Sequence, residues 1–255
     1  MSMQACAELV RQGDPDRFLA TMTADPVLRG PLFVLYAFNL EIAKAPWVTQ
    51  EPMIAEMRLQ WWRDVVEEIG GGKPARAHEV AGPLAEVIAA HNLDIAVIDE
   101  MIAARRWDIY RETFACEDAL HDYIDQTSGH LMWLAAQTCG APDALEDDVR
   151  DVAWGFGVAN FLRALPAISD GGRKTPMGDP IKSDTNLARI ARARLRSARK
   201  ADFGAAVAAV RVAWQAEALL EQAIETPERV DNGTLGLSEF RRRGSLLFKS
   251  LTGGW

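Results

Sequence analysis

The sequence predicts an all-α protein. Three observations carry that reading: apolar residues recur with helical period, glycines and prolines fall between the periodic stretches, and no stretch alternates like a half-buried strand. The helix expected over about 27–45 has Pro31 near its first turn, where a missing N–H costs little. Its apolar residues at 28, 32, 35, 38, 42 and 45 form one face. A second helix, over 53–69, carries Met57, Trp61, Val65 and Ile69 at i, i+4 spacing and ends at Gly70-Gly71-Gly72. Further helices are expected over 83–91, 94–113, 118–139, 145–165, 186–225 (with a break near Asp202 or Gly204) and 238–252. Loops are expected at 70–82, 166–183 and 226–237. No composition shift marks a linker, so eight or so helices are expected to share one core in a single domain over 1–255.

Composition narrows the function. With 49% apolar and 25% charged residues the chain matches globular proteins, which excludes wholesale disorder and low-complexity character. Cys6, Cys116 and Cys139 are far apart, with no C-x-x-C pair for a disulfide scaffold or a thiolate zinc site. The start, MSMQACAELVRQGDPDRF, lacks a basic segment followed by an apolar one, and Glu8, Asp14 and Asp16 are unlike a transit peptide. A cytoplasmic protein, or one cut before this numbering begins, is expected. The best apolar run, PLFVLYAFNL, stops at Glu41, too short to cross a bilayer. The net charge of −8 hides a division: residues 1–150 carry 12 basic and 25 acidic side chains, residues 151–255 carry 16 and 11. An acidic chain without a concentrated basic and aromatic surface argues against nucleic-acid binding.

Catalytic motifs are sparse. There is no G-x-S-x-G, P-loop, G-x-G-x-x-G after a strand, or H-E-x-x-H. Ser128-Gly129-His130 falls inside a helix, where a serine more often bonds its own carbonyls than attacks a substrate. Asp118 with Asp122, and Asp147 with Asp151, have the spacing of a metal-binding pair, but each lies near a helix start that favours acids anyway. Glu117, His121 and Asp125 share one helix face; a solvated acidic face is the favoured reading, since no second helix offers partners for a metal. His78, His91 and His130 are scattered. Trp61, Trp62, Trp133 and Trp154 are expected in the core, with cavity lining as the alternative.

Four segments in order carry a resemblance: Arg29-x-x-Leu-Phe-Val-Leu-Tyr-Ala-Phe-Asn39, Leu59-Gln-Trp-Trp-Arg-Asp64, Tyr123 with Gly129, and Ala159-Asn-Phe-Leu-Arg163. Over about residues 17–200 the chain resembles the squalene/phytoene synthase family. That resemblance implies an isoprenoid-synthase-like helical bundle around a central cavity, in which family members join two prenyl diphosphates head to head. Such chemistry needs Mg²⁺ held by carboxylates on two facing helices. The family register places the first acidic motif at Ala43, Lys44 and Trp47 and the second at Ala164, Ala167 and Ile168, and none of these is a carboxylate. No catalytic residue, no metal ligand and no cofactor are therefore expected. The family-equivalent binding pocket falls on Arg29, Tyr36, Asn39, Lys44, Asn160, Arg163 and Arg173, with Lys174 beside it.

Within the family, Ala37–Ala43, Glu56–Trp62 and Gly157–Pro166 resemble the branch implicated in assembling respiratory complex I. The resemblance implies a non-catalytic protein that acts by binding, a peripheral assembly factor at the inner membrane whose partner is a protein or an anionic membrane surface. The alternative is a divergent isoprenoid diphosphate-binding enzyme or carrier, with Arg29, Arg163 and Arg173 gripping phosphate and Mg²⁺ needed only in that case.

The basic end adds a surface. Arg189, Arg192, Arg196 and Arg199 recur at helical spacing, with Asp184 and Asp202 the acids close enough in sequence to offset them. Such a ridge suits anionic lipid heads or an acidic partner. The segment 238–255 opens on Ser238 as a helix cap, carries Arg241, Arg242 and Arg243, and puts Leu247 and Leu251 on one face, a basic amphipathic helix. For both stretches an ordinary solvated or core-docked helix is the competing reading.

Overall fold

The structure, a computed structural model, describes residues 3–49, 51–110, 112, 114–169 and 180–255. Two Asp-Pro pairs set its beginning. Helix α1 (Met3–Gly13) gives way to α2 (Pro15–Met22) at Asp14, whose carboxylate accepts from the Arg17 N–H at 2.9 Å. Helix α3 (Pro26–Lys44) starts the same way, with Asp25 accepting from the Val27 N–H at 3.1 Å. A capping carboxylate followed by a proline that needs no donor is a strong helix start. Pro26 therefore holds the role expected of Pro31, which lies a turn further in. Residues Leu32 to Asn39 are all buried, so α3 runs through the centre.

The face of α4 (Pro52–Gly70) differs from the expected one. Ala55, Leu59, Trp62 and Val66 are buried, whereas Met57 is 66% exposed. The buried stripe runs through Trp62 rather than Trp61, keeps Val65 of the expected face, and leaves Met53 and Met57 in solvent. Helix α5 (Ala81–His91) ends on Asn92 in the left-handed conformation, φ 50°. The stretch 94–113 forms two helices, α6 (Ile95–Ala104) and α7 (Arg106–Tyr110), divided at Arg105. Likewise 118–139 is α8 (Glu117–Ile124) and α9 (His130–Thr138) joined by a π-helical turn over Asp125–Gly129. Helix α10 (Glu146–Ser169) reaches past Pro166, and α11 (Pro180–Ala198) begins before the expected 186, so both enter the stretch expected as a loop.

The break near Asp202 is present: the Asp202 carboxylate accepts from the Gly204 N–H at 3.0 Å, and Gly204 takes φ 50°. Short α12 (Val207–Val210) and a 3₁₀ turn at Arg211–Ala213 lead to α13 (Ala216–Glu225). Residues 226–237, expected as a loop, contain α14 (Glu228–Asp231). Helix α15 (Glu239–Leu251) is capped by Ser238. No strand occurs among the described residues.

Helix α10 is the organising element, packed on α11, α13, α9 and the π turn. Two glycines permit this. A Cβ at Gly155 would stand 2.4 Å from Leu195 Cγ, and one at Gly157 would stand 2.6 Å from Ile124 Cγ2. Only glycine lets α10 approach α11 on one side and the π turn on the other.

Candidate functional site

Residues from α2, α3, α7, α8, α10, α13 and the π turn line a central cavity of about 310 Å³. One wall presents Asn39, Ala43 and Trp47, and the opposite wall Asn160, Ala164 and Ile168. Four positions that the family register assigns to metal carboxylates thus face the cavity, and they offer two methyl groups, an indole and a branched alkyl chain. Lys44 and Ala167, the other two positions, are exposed.

Carboxylates do reach the cavity from elsewhere, and each of those among the described residues is engaged by a guanidinium. Asp14 pairs with Arg17 at 3.0 Å. Asp16 pairs with Arg242 and lies 3.8 Å from Arg163. Asp108 pairs with Arg105 at 3.3 Å and accepts from the Tyr123 hydroxyl at 2.7 Å. The same Arg105 donates to the Asn39 side-chain oxygen at 3.1 Å, joining α3 to α7. Burial raises the Tyr123 pKa, and the Asp108 charge adds to it, so the phenol stays a donor. Burial pulls Arg105 down, but Tyr123 and Asp108 outweigh it and the net shift is upward.

A hard divalent cation needs several free oxygen ligands around one point. The described residues contain no group of three or more histidine, cysteine or acidic side chains able to hold one. The cavity's own acids are already tied to arginines. A magnesium cluster of the kind diphosphate ionisation requires does not fit the donors that the described residues bring to the cavity.

Asn39, Asn160 and Arg163, expected from sequence, line the cavity. Tyr36 lies beneath it: its ring supports the Arg17 guanidinium at 5.2 Å, and burial raises its pKa. Arg29 donates to the Ala24 carbonyl at 2.9 Å and is not part of the lining. Arg173 and Lys174 lie outside the described residues. Sequence reasoning missed Asp14, Asp16, Arg17, Arg105 and Asp108. The Asp14-Pro15 cap could have disclosed α2, whereas nothing local marks Arg105 as inward-facing.

Members of the weaker metal candidates are engaged by other side chains. His121 packs on Trp154 at 5.2 Å, Asp125 pairs with Arg150 at 3.0 Å, and Asp151 lies 3.7 Å from Arg194. His130 is buried between Glu100 at 3.0 Å and Arg150 at 3.2 Å. The basic ridge is also more compensated than expected. Helix α13 supplies Glu221 to Arg192 at 2.8 Å and Glu217 to both Arg196 and Arg199 at 2.9 Å, acids distant in sequence that the fold brings alongside. Arg189, Arg241 and Arg243 are exposed, while Arg242 turns inward to Asp16.

Residues 10–238 match the model of the squalene/phytoene synthase family. The chain belongs to that family. Among similar proteins, human NADH dehydrogenase (ubiquinone) complex I, assembly factor 6 is 27% identical over 63% of this chain and 48% of its own length. The Drosophila melanogaster homologue of that factor is 28% identical over 63% and 50%. A 15-cis-phytoene synthase of Synechocystis is 24% identical over 62% and 49%. The match thus spans about half the length of these relatives. The crystal structure of a dehydrosqualene synthase superposes over 99% of this chain and 97% of its own, with a TM-score of 0.83 at 13% identity. The squalene synthase HpnC of Alicyclobacillus acidocaldarius gives 0.61 at 18% identity, over 98% and 94%. At these identities the likeness establishes the fold, an isoprenoid-synthase helical bundle in a single domain.

Proposed function

We propose that this protein is a non-catalytic member of the squalene/phytoene synthase family that acts by binding, as an assembly factor for respiratory complex I working without metal at the membrane surface. The observation that carries this reading is the cavity's donor set: alanine, tryptophan and isoleucine at the register positions of the metal ligands, and every described cavity acid paired with an arginine. A diphosphate leaving group needs concentrated positive charge as it departs. Among the described residues Arg17 and Arg105 spend their charge on Asp14 and Asp108, and Arg163 shares Asp16 with Arg242, so no concentrated positive charge is left for a diphosphate. Similarity to proteins named as complex I assembly factors supports the direction of the change. The test is a deletion strain of the host. Loss of assembled complex I, restored by the intact gene, supports the reading, and normal complex I levels refute it.

A second reading has one observation in its favour. The Nε atoms of Arg17 and Arg105 are buried at the cavity without a hydrogen-bond acceptor among the described residues. An anionic ligand could use them, so a metal-independent isoprenoid diphosphate carrier is the alternative. Calorimetric titration with farnesyl diphosphate in EDTA decides it: no heat removes the carrier.

A further inference from the structure

We propose that the outward face of α15 is a docking surface for an anionic lipid bilayer. This rests on the membrane-side part of the reading above and names the surface and the lipid charge. Helix α15 is amphipathic the wrong way round for a core helix. Its inward side is polar and tied down: Arg242 pairs with Asp16, the Lys249 ammonium donates to the Trp214 carbonyl at 2.9 Å, and the Trp214 indole N–H donates to the Arg242 carbonyl at 3.3 Å. Leu246 is the buried member of its leucines.

The apolar side faces water. Phe240, Leu247 and Leu251 follow at i, i+7 and i+11 along one stripe and are 88%, 60% and 78% exposed, with Phe248 alongside at 68%. Gly244 continues the stripe and has nothing within 4 Å of where its Cβ would stand, which opens a notch between Phe240 and Leu247. No described residue covers these side chains. Scattered exposed leucines are ordinary, but a continuous ridge with two phenylalanines marks a contact surface.

Charge selects the occupant. Arg241 and Arg243 leave the helix on opposite edges of the stripe, with stems long enough to carry their charges beside the buried apolar groups. Glu239 is shared between Arg242 and Arg243, and Glu217 between Arg196 and Arg199, so cations exceed carboxylates at this end of a chain whose net charge is −8. A protruding apolar ridge between arginine edges fits a helix lying in the plane of an anionic interface. No described helix is long and apolar enough to cross a membrane.

The test is co-sedimentation of the full chain with vesicles of phosphatidylcholine alone, or of phosphatidylcholine and phosphatidylglycerol in equal amounts. The intact protein is expected to sediment with the anionic vesicles and to be released by salt. The F240S/L251S variant should bind at least about tenfold more weakly, as expected for losing two inserted apolar side chains. Its melting temperature should not change, because both side chains point away from the body. R241E/R243E should lose the preference for anionic vesicles. Absence of binding by the intact protein, or equal binding by F240S/L251S, overturns the proposal. If F240S/L251S abolishes complex I assembly while vesicle binding persists, the stripe serves a protein: this proposal fails and the assembly reading stands. If vesicle binding falls as stated while a deletion strain assembles complex I normally, the docking surface stands and the assembly reading fails.

Discussion

Replacing Tyr123 by phenylalanine tests whether the polar network of the cavity holds the fold together or is held in reserve for a ligand. The tyrosine ring packs on Trp107 at 4.9 Å and on Phe114 at 5.5 Å, contacts that phenylalanine keeps. What is lost is the 2.7 Å hydrogen bond from its hydroxyl to Asp108, whose side chain is 10% exposed. A hydrogen bond to a charged, buried acceptor contributes about 1.5–3 kcal/mol, so a loss of about 2 kcal/mol is expected. In a chain of this size that lowers the melting temperature by about 4–8 °C. Differential scanning calorimetry of the wild type, Y123F, D108N and the double variant reads both the loss and its origin. The two substitutions should be less than additive by about 1 kcal/mol or more, since each removes the same bond. A drop for Y123F of under about 1 °C, or strict additivity, refutes a structural role for this hydroxyl.

Three further outcomes follow from the geometry. Burial, and then the neighbouring Asp231, push the Asp184 pKa up to about 6 from an ordinary 3.8, so the folded state holds this proton over a pH range where the unfolded chain has released it. Stability should therefore fall as pH rises from about 4 to 6, and D184N should flatten that slope and stabilise the protein at pH 7 by about 2 kcal/mol, read by urea denaturation across pH. At Gly155 a side chain would meet Leu195 Cγ and, at 3.1 Å, the Ala191 carbonyl, so G155V should destabilise by about 3 kcal/mol in the same assay; an unchanged midpoint would show that α10 and α11 do not touch there. Burial raises the thiols of Cys6 and Cys139 to about 11 while Cys116 is exposed, so a thiol reagent under native conditions should label Cys116 fast and the other two only on unfolding.

The long periodic helices were legible from sequence because burial of a continuous stripe leaves a repeating mark. Helix α3 is an example, and the break near Asp202 was legible for another reason, the Asp and Gly turn chemistry at 202 and 204. Two kinds of element were not. Short helices such as α2 and α7 have too few turns for periodicity and owe their existence to caps and to tertiary packing. The π turn at Asp125–Gly129 has no periodic signature in sequence; in the fold it is the surface that Gly157 closes against. Of the six register positions, Ala43, Trp47, Ala164 and Ile168 line the cavity, whereas Lys44 and Ala167 are exposed and do not. Arg17 and Arg105 sit three residues from the acids they pair with, and Arg105 turns inward at the break between α6 and α7, whereas Arg242 reaches Asp16 across 226 residues that no local signal bridges. The α13 glutamates beside the basic ridge were invisible for the same reason: 18 to 29 residues separate the paired groups.

The central claim is that the two facing walls cannot gather divalent ions around a diphosphate. Its most direct test is Mn²⁺ uptake followed by electron paramagnetic resonance, with and without farnesyl diphosphate. The account predicts that the free-Mn²⁺ signal in the presence of protein stays that of matched protein-free solutions, and that the lipid remains unconverted. Uptake of more than one tightly held ion per chain when the diphosphate is added would contradict it.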